Sequence, residues 1–367
     1  MRVLHILNAV EHSGAEVMIR QAAPDLLALG VETVVLATGE NLGAYEARMK
    51  SAGVPILELP FSKSPAFALR LWRVIRGGAF RVVHVHTERA SFWLEVIARL
   101  AGVGRVVRTV HSSFSFDGAL RFRRSFQRRI ASQVLGVRYV FISADVAQNE
   151  QTRFGTRGTL VNNFVDEREY RPPQDGVERA AARSAMGVAP DEFAIVSVGR
   201  CSPVKRHGDI VRALRLLTDV GVKVRYLHVG DGPEGDSELT LAGELDLVDR
   251  VSFLGVLDDP RTALIAGDAF AMPSEYEGLG IAALEAAACG LPLVLYDSPG
   301  LREVVDRGTC GLLARDVPSL ADALRQLAGD GAARASLAIA GRESVLRRYS
   351  REHWVRAHAT LYGAVEE

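Results

Sequence analysis

Short β-branched runs alternate along this chain with segments whose apolar residues recur every three or four positions. The first series of runs, RVLHIL, VETVVLAT, VPILEL, RVVHVH, RVVRTV and RYVFIS, is followed run by run by stretches of helical period. Near-continuous apolar strands separated by helices predict a parallel sheet covered on both faces. The alternation pauses at Tyr170-Arg171-Pro172-Pro173-Gln174-Asp175-Gly176, where paired prolines and a glycine break both periods. A second series then begins, with FAIVSVG, KVRYLHVG, RVSFLG, DAFAMP and LPLVLY as strands. The expected architecture is α/β, with two doubly wound domains at residues 1–170 and 171–349. Loops at the carboxyl ends of the strands would face a shared cleft. A last helix within residues 350–367 is expected to pack back on the first domain.

Length agrees with two cores, since 367 residues exceed what one ordinary domain of about 150 residues buries. Forty-four basic residues balance forty-four acidic ones, so no global field draws the chain to nucleic acid. Any basic site must be local. Cys201, Cys289 and Cys310 are odd in number, scattered and without metal-ligand spacing, which reads as core thiols in a reducing compartment. No apolar run approaches the ~18 residues of a membrane span and the N-terminus lacks a leader pattern, so a cytoplasmic protein is expected.

Chemistry concentrates at Pro273-Ser274-Glu275-Tyr276-Glu277-Gly278-Leu279-Gly280, a glycine-rich turn entering an apolar helix that carries Glu285. Two carboxylates flanking free backbone N–H donors suit a ligand bearing both hydroxyls and phosphates. The segment also fits the dinucleotide pattern G-x-G-x-x-A, with Asp297 at the end of the next strand. That fingerprint belongs on a first strand–helix turn, and this one comes late. A glycosidase pair is disfavoured too: eight helical positions separate the carboxylates by ~12 Å of rise and ~80° of rotation, whereas such pairs oppose each other at ~5–9.5 Å. The bland alternative is a dipole-favoured Glu277 at the helix start and a solvated Glu285.

A second constellation weighs against it. The strand AIVSVG ends in Gly199-Arg200-Cys201-Ser202-Pro203-Val204-Lys205, where Arg200 offers a planar fork and Lys205 a mobile point charge beside a helix start. Two such cations at a strand edge make a diphosphate site. The next strand ends at Gly230-Asp231-Gly232-Pro233, a tight turn that lets backbone approach a ligand. In the first half, His12-Ser13-Gly14-Ala15-Glu16 joins the first strand to its helix, and Gly14 would let that loop pass close to a phosphate or sugar. Pro24 is expected to kink that helix. His111 ends RVVRTV and so points to the ligand edge, while His84 and His86 lack a third ligand for zinc. Residues 118–133, GALRFRRSFQRRIASQ, interleave Arg121, Arg123, Arg124, Arg128 and Arg129 with Leu120, Phe122, Phe126 and Ile130. The helix reads either as a patch for a membrane surface or anionic acceptor, or as an amphipathic helix burying its aromatics on the sheet.

With these motifs in order the chain resembles family 4 of the retaining glycosyltransferases, whose GT-B fold pairs two Rossmann-like domains. The resemblance runs from Gly14-Ala15-Glu16 through His111, Asn162-Asn163-Phe164-Val165-Asp166, Arg200 with Lys205, and Val229-Gly230-Asp231-Gly232-Pro233-Glu234. It continues through Val251-Ser252-Phe253-Leu254-Gly255 and Glu277-Gly278-Leu279-Gly280 to Leu284-Glu285-Ala286 and Cys289-Gly290-Leu291-Pro292. The likeness implies an acceptor-side first domain and a second domain that binds a nucleotide sugar. Arg200 and Lys205 would hold the donor diphosphate, Glu277 with the amides of Gly278, Leu279 and Gly280 the donor sugar, and Glu285 the ribose. Phe253, Leu254 and Leu257 would pass near the base, Gly14 and Gly232 near the donor, and His111 near the transferred sugar. It further implies no cofactor, no metal and retention of configuration.

Three departures stand out: Ser13 replaces a usual glycine, Arg206 follows Lys205 where glycine is common, and Phe164 follows Asn163 at the interdomain passage. Arg206 would add a cation near the diphosphate. The expected activity is transfer of a sugar from a nucleoside diphosphate, UDP-hexose or UDP-N-acetylhexosamine by family frequency, to a hydroxyl acceptor in surface-glycan or specialised-metabolite synthesis. A lipid-linked or anionic acceptor with peripheral membrane contact through the helix around Arg121 to Arg129 fits the arginine pattern. The alternatives are a GDP-mannose donor, a sugar-nucleotide epimerase, a phosphorylase, or a binding protein on an inactive fold.

Overall fold

The structure, a computed structural model, describes residues 1–11, 13–43 and 45–366. The chain divides into two compact units, Met1–Asn163 with Arg351–Glu367, and Phe164–Ser350. The first break falls a few residues before the proline-rich stretch, so Tyr170 belongs to the second unit.

In the first unit the strands are β1 (Arg2–Leu7), β2 (Glu32–Ala37), β3 (Ile56–Glu58), β4 (Val82–Val85), β5 (Arg105–Val110), β6 (Arg138–Phe141) and β7 (Thr159–Leu160). They form one sheet in the order β3-β2-β1-β4-β5-β6-β7, and every pairing is parallel. Val3, Leu4, Ile6, Val82, Val83, Val106 and Val107 are fully buried, which is why these runs show no alternation of polar residues. The second unit holds β8 (Phe193–Val198), β9 (Val224–Val229), β10 (Val251–Phe253), β11 (Ala269–Met272), β12 (Leu293–Tyr296) and β13 (Leu312–Ala314). Their order is β10-β9-β8-β11-β12-β13, again all parallel. Each sheet therefore reverses direction once, between β1 and β4 and between β8 and β11. Ligands of open α/β sheets bind beyond the carboxyl ends of the strands at such a reversal.

Every strand read from the alternation forms, and β7 and β13 are additional. The C-terminal helix Arg351–Tyr362 belongs to the first unit, where the Tyr362 hydroxyl lies 2.7 Å from His84 Nδ1 and Arg105 donates to the Tyr362 carbonyl. Among the described residues, no helix is long and apolar enough to cross a membrane.

Candidate active site

In the second unit the reversal is flanked by the loop after β8, which carries Arg200 and Lys205, and the loop after β11, which carries Glu277. Lys205 Nζ donates to Glu277 Oε1 at 2.5 Å, and the two side chains keep 21% and 14% of their surface exposed. The sequence motifs 72 residues apart thus meet in one ion pair. Arg200 is exposed and, among the described residues, has no carboxylate partner. The loops are braced by backbone: Glu275 N donates to Val204 O at 2.8 Å and Glu277 N to Pro299 O at 2.9 Å. Among the described residues, the amides of Gly278, Leu279 and Gly280 have no intramolecular acceptor, while the Leu279 side chain is buried. A row of N–H donors therefore lies beside a paired carboxylate and ammonium, an arrangement suited to an anion that also carries hydroxyls.

Close backbone packing shapes this edge. A Cβ on Gly230 would lie 1.9 Å from Gly199 O, and one on Gly232 2.9 Å from Arg200 Cγ. Gly230 N also donates to Gly255 O at 2.8 Å, and Leu254 N to His228 O at 2.8 Å. Phe253, Leu254 and Leu257 are half-buried in the segment that these bonds hold beside β9. Arg206 does not add a free cation. It begins the helix His207–Asp219 with φ of 54°, the conformation that makes glycine common there, and its guanidinium pairs with Asp209 at 2.9 Å over the ring of Tyr296.

Glu285 sits just over one turn into the helix Ile281–Ala288, whose N-cap Gly280 has φ of 61°. It is half-buried rather than a freely solvated helix residue. Burial pushes its carboxyl up to about 8, against a hydrogen bond with Tyr170 that pulls the other way. The residue keeps partial solvent contact.

In the first unit Gly14 begins the helix Gly14–Ala28, with Ser13 as N-cap, and His12 lies outside the described residues. Ser13 Oγ donates to the Glu16 carboxylate, whose burial raises it to about 7. His111 is half-buried at the end of β5 and desolvation lowers its pKa to about 4, so it is a neutral imidazole at pH 7. It does not stand alone. His86 Nδ1 lies 3.0 Å from His111 Nε2, and His86 Nε2 lies 3.0 Å from His5 Nδ1. His5 is the third nitrogen missing from the sequence reading of His84 and His86, brought alongside because β1 pairs with β4 in the register His5↔His84.

The arginine-rich helix Gly118–Gln133 reverses the amphipathic expectation. Phe122 is 79% exposed and Phe126 64%, whereas Arg128 is 1% exposed. Arg128 forms a bidentate pair with Glu150 at 2.8 and 3.0 Å and lies over the ring of Phe154. Buried Arg108 pairs with Glu88, to which Arg128 also reaches at 3.3 Å. The aromatics do not cover the sheet, because a buried ion network already anchors the helix. Arg121, Arg123 and Arg129 remain exposed beside the two phenylalanines.

Sequence spacing missed one further cluster. Cys201, His207, His228 and Glu238 are all buried, with ligand atoms within 4.8 Å of one another. Cys201 comes from the loop after β8, His207 from the start of the helix His207–Asp219, His228 from β9 and Glu238 from the helix Gly235–Glu244, so no local spacing reveals them. Cys201 is therefore not an isolated core thiol, while Cys289 and Cys310 are buried and free.

Residues 12–169 match the family described as Glycosyltransferase Family 4, and residues 178–344 match Glycosyl transferases group 1. The chain is 33% identical over 205 residues to the N-acetyl-alpha-D-glucosaminyl L-malate synthase of Bacillus anthracis, covering 55% of this chain and 52% of that protein. It is 28% identical over 337 residues to a GDP-mannose-dependent monoacylated alpha-(1-6)-phosphatidylinositol monomannoside mannosyltransferase of Corynebacterium glutamicum, covering 87% and 86% of the two chains. Its fold matches the crystal structure of Anabaena Alr3699/HepE in complex with UDP and glucose, with a TM-score of 0.84 at 20% identity over 100% of both chains.

Proposed function

The chain belongs to family 4 of the glycosyltransferases and has their GT-B fold of two Rossmann-like domains, and from that premise we propose a retaining, UDP-dependent hexosyl- or N-acetylhexosaminyltransferase acting on a hydroxyl acceptor. The observation that carries the reading is the Lys205–Glu277 pair beside exposed Arg200 at the carboxyl edge of β8 and β11. Arg200 and Lys205 neutralise the charge that grows on the diphosphate as the glycosidic bond breaks, which is the largest catalytic contribution expected of the protein. Glu277 then exchanges its ammonium partner for a hydroxyl of the donor sugar, while the amides of Gly278 to Gly280 take further oxygens. Glu285 accepts from the ribose, Phe253 to Leu257 cover the base, and Gly232 admits the phosphates. In the first unit, neutral His111 hydrogen-bonds the transferred sugar and the loop at Gly14 serves donor and acceptor.

The leaving phosphate oxygen takes the acceptor's proton while the new bond forms on the same face. No carboxylate nucleophile is needed, and no divalent ion bridges the diphosphate, so turnover is independent of added magnesium or manganese. A thermal-shift panel of UDP, GDP and their sugar conjugates tests the donor, because a ligand specific for the folded state raises the melting temperature. A shift with UDP-sugars alone supports the reading. A shift with GDP-mannose alone would replace the donor with that of the Corynebacterium relative, and no shift with any nucleotide would point to a non-catalytic fold. Label exchange in a nucleotide sugar without acceptor would instead identify an epimerase, and phosphate dependence a phosphorylase.

The exposed Phe122 and Phe126 among Arg121, Arg123 and Arg129 favour a second element of the reading. The protein works in the cytoplasm and contacts the inner membrane face peripherally through this helix, on a lipid-linked or anionic acceptor. Aromatic rings flanked by guanidinium groups suit the boundary between acyl chains and anionic headgroups.

A further inference from the structure

We propose that Cys201, His207, His228 and Glu238 form a structural zinc site beneath the loop that carries Arg200 and Lys205. The set is the borderline-soft mixture of thiolate, imidazole and carboxylate that zinc prefers. Zn–N and Zn–O distances near 2.0–2.1 Å and a Zn–S distance near 2.3 Å place tetrahedral donors roughly 3.3–3.8 Å apart. The His207 Nδ1–Glu238 Oε1 distance of 3.4 Å falls in that range, Cys201 Sγ and His228 Nε2 stand slightly closer at 3.1 Å, and all four donor atoms lie within 4.8 Å of one another.

Three further observations point to an ion rather than a hydrogen-bonded core. His207 Nδ1 and Glu238 Oε2 are buried without a hydrogen-bond partner, which a protein does not maintain without a reason. His228 turns its other nitrogen, Nδ1, to Ser197 Oγ at 2.8 Å, the outer contact that fixes the tautomer and orientation of a metal-ligating imidazole. Charge also balances: on coordination the Cys201 thiol gives its proton to solvent, and thiolate plus carboxylate neutralise the dication in a buried place.

Four protein ligands leave no open position, so the ion is structural and takes no part at the reacting atoms. Its place in the chain gives it a task. Cys201 follows Arg200 directly and His207 comes two residues after Lys205, so one ion would fasten both ends of the cation-bearing loop to β9 and the helix Gly235–Glu244.

The test uses tag-free, full-length protein and does not depend on finding the sugar donor. Elemental analysis should find about one zinc per chain, and the protein stripped of metal should regain its melting temperature with zinc. Cobalt added to the stripped protein should give a thiolate charge-transfer band together with strong tetrahedral visible bands. The charge-transfer band should vanish in Cys201→Ser and persist in Cys310→Ser. Glu238→Gln should weaken zinc binding by at least about tenfold, and it decides the matter should Cys201→Ser fail to fold by circular dichroism. Absence of zinc with no cobalt spectrum and no thermal response would overturn the proposal. So would a cobalt spectrum without the thiolate band, which would place the ion on the His5, His84 and His86 nitrogens instead.

Discussion

Glu285 makes the second unit's stability depend on pH in a direction opposite to that of an ordinary ion-paired carboxylate. Its pKa rises from 4.5 in the unfolded chain to about 8 in the fold, chiefly through burial. The folded state therefore holds a proton that the unfolded state has released. The stabilising contribution is complete below pH 4.5 and is lost progressively as pH rises to about 8. At 1.36 kcal/mol per pH unit, the full shift corresponds to about 5 kcal/mol. Glu285 keeps partial solvent contact, and screening reduces the expected effect to roughly 2–3 kcal/mol.

Glu285→Gln removes the titration while keeping the shape of the neutral acid. The variant should match the wild type near pH 5 and exceed it by about 2 kcal/mol near pH 9. Trp72, Trp93 and Trp354 all lie in the first unit, so tryptophan fluorescence would miss the effect. Hydrogen exchange of peptides spanning Ile281–Ala288, compared between the two proteins across that pH range, reads it directly. A difference that stays constant with pH would refute the buried-acid argument. The proposed ribose contact adds a second signature: hydroxyl donors favour the ionised carboxylate, so nucleotide affinity should rise toward pH 8 in the wild type and stay flatter in the variant.

Lys205→Ala removes a charge-assisted contact to the diphosphate worth about 1.5–3 kcal/mol, so kcat/KM should fall roughly 10- to 150-fold with the fold intact; unchanged turnover would remove Lys205 from the site. Gly230→Ala forces a Cβ to within 1.9 Å of Gly199 O, and should open the β8–β9 edge and abolish the nucleotide-induced thermal shift. Arg128→Met leaves Glu150 buried without its cation and should cost about 3–5 kcal/mol by urea unfolding, with much of the loss recovered in Arg128→Met/Glu150→Gln. The double variant Phe122→Ser/Phe126→Ser should weaken co-sedimentation with anionic vesicles by at least about tenfold, since each ring contributes ~1.5–3 kcal/mol when buried. Absence of wild-type binding at low salt would discard the membrane contact.

The strands were legible because a sheet covered on both faces makes its strands near-continuous apolar runs, broken only by single buried residues such as His5, His84, Arg108 and His228, and the carboxyl-edge rule then placed Arg200, Glu277 and His111 beyond strand ends. What stayed hidden depends on contacts between elements. Helical period alone cannot tell that Arg128 is buried and Phe122 is not, because the deciding partner, Glu150, lies on another element. The sequence pattern offered Glu277 and Glu285 as two carboxylates on one ligand, and their neighbours make them chemically different. Lys205 Nζ donates to Glu277 at 2.5 Å, a contact that another donor can replace. Tyr170, which the sequence assigned to the other domain, hydrogen-bonds Glu285, whose burial favours its proton. A ligand that binds both must therefore displace an ammonium from one acid and a proton from the other. A nucleotide sugar can do both, with its hydroxyls as donors and its diphosphate as the new partner for Lys205. In the proposed donor site this exchange would tie recognition to pH through Glu285 and to charge through Lys205.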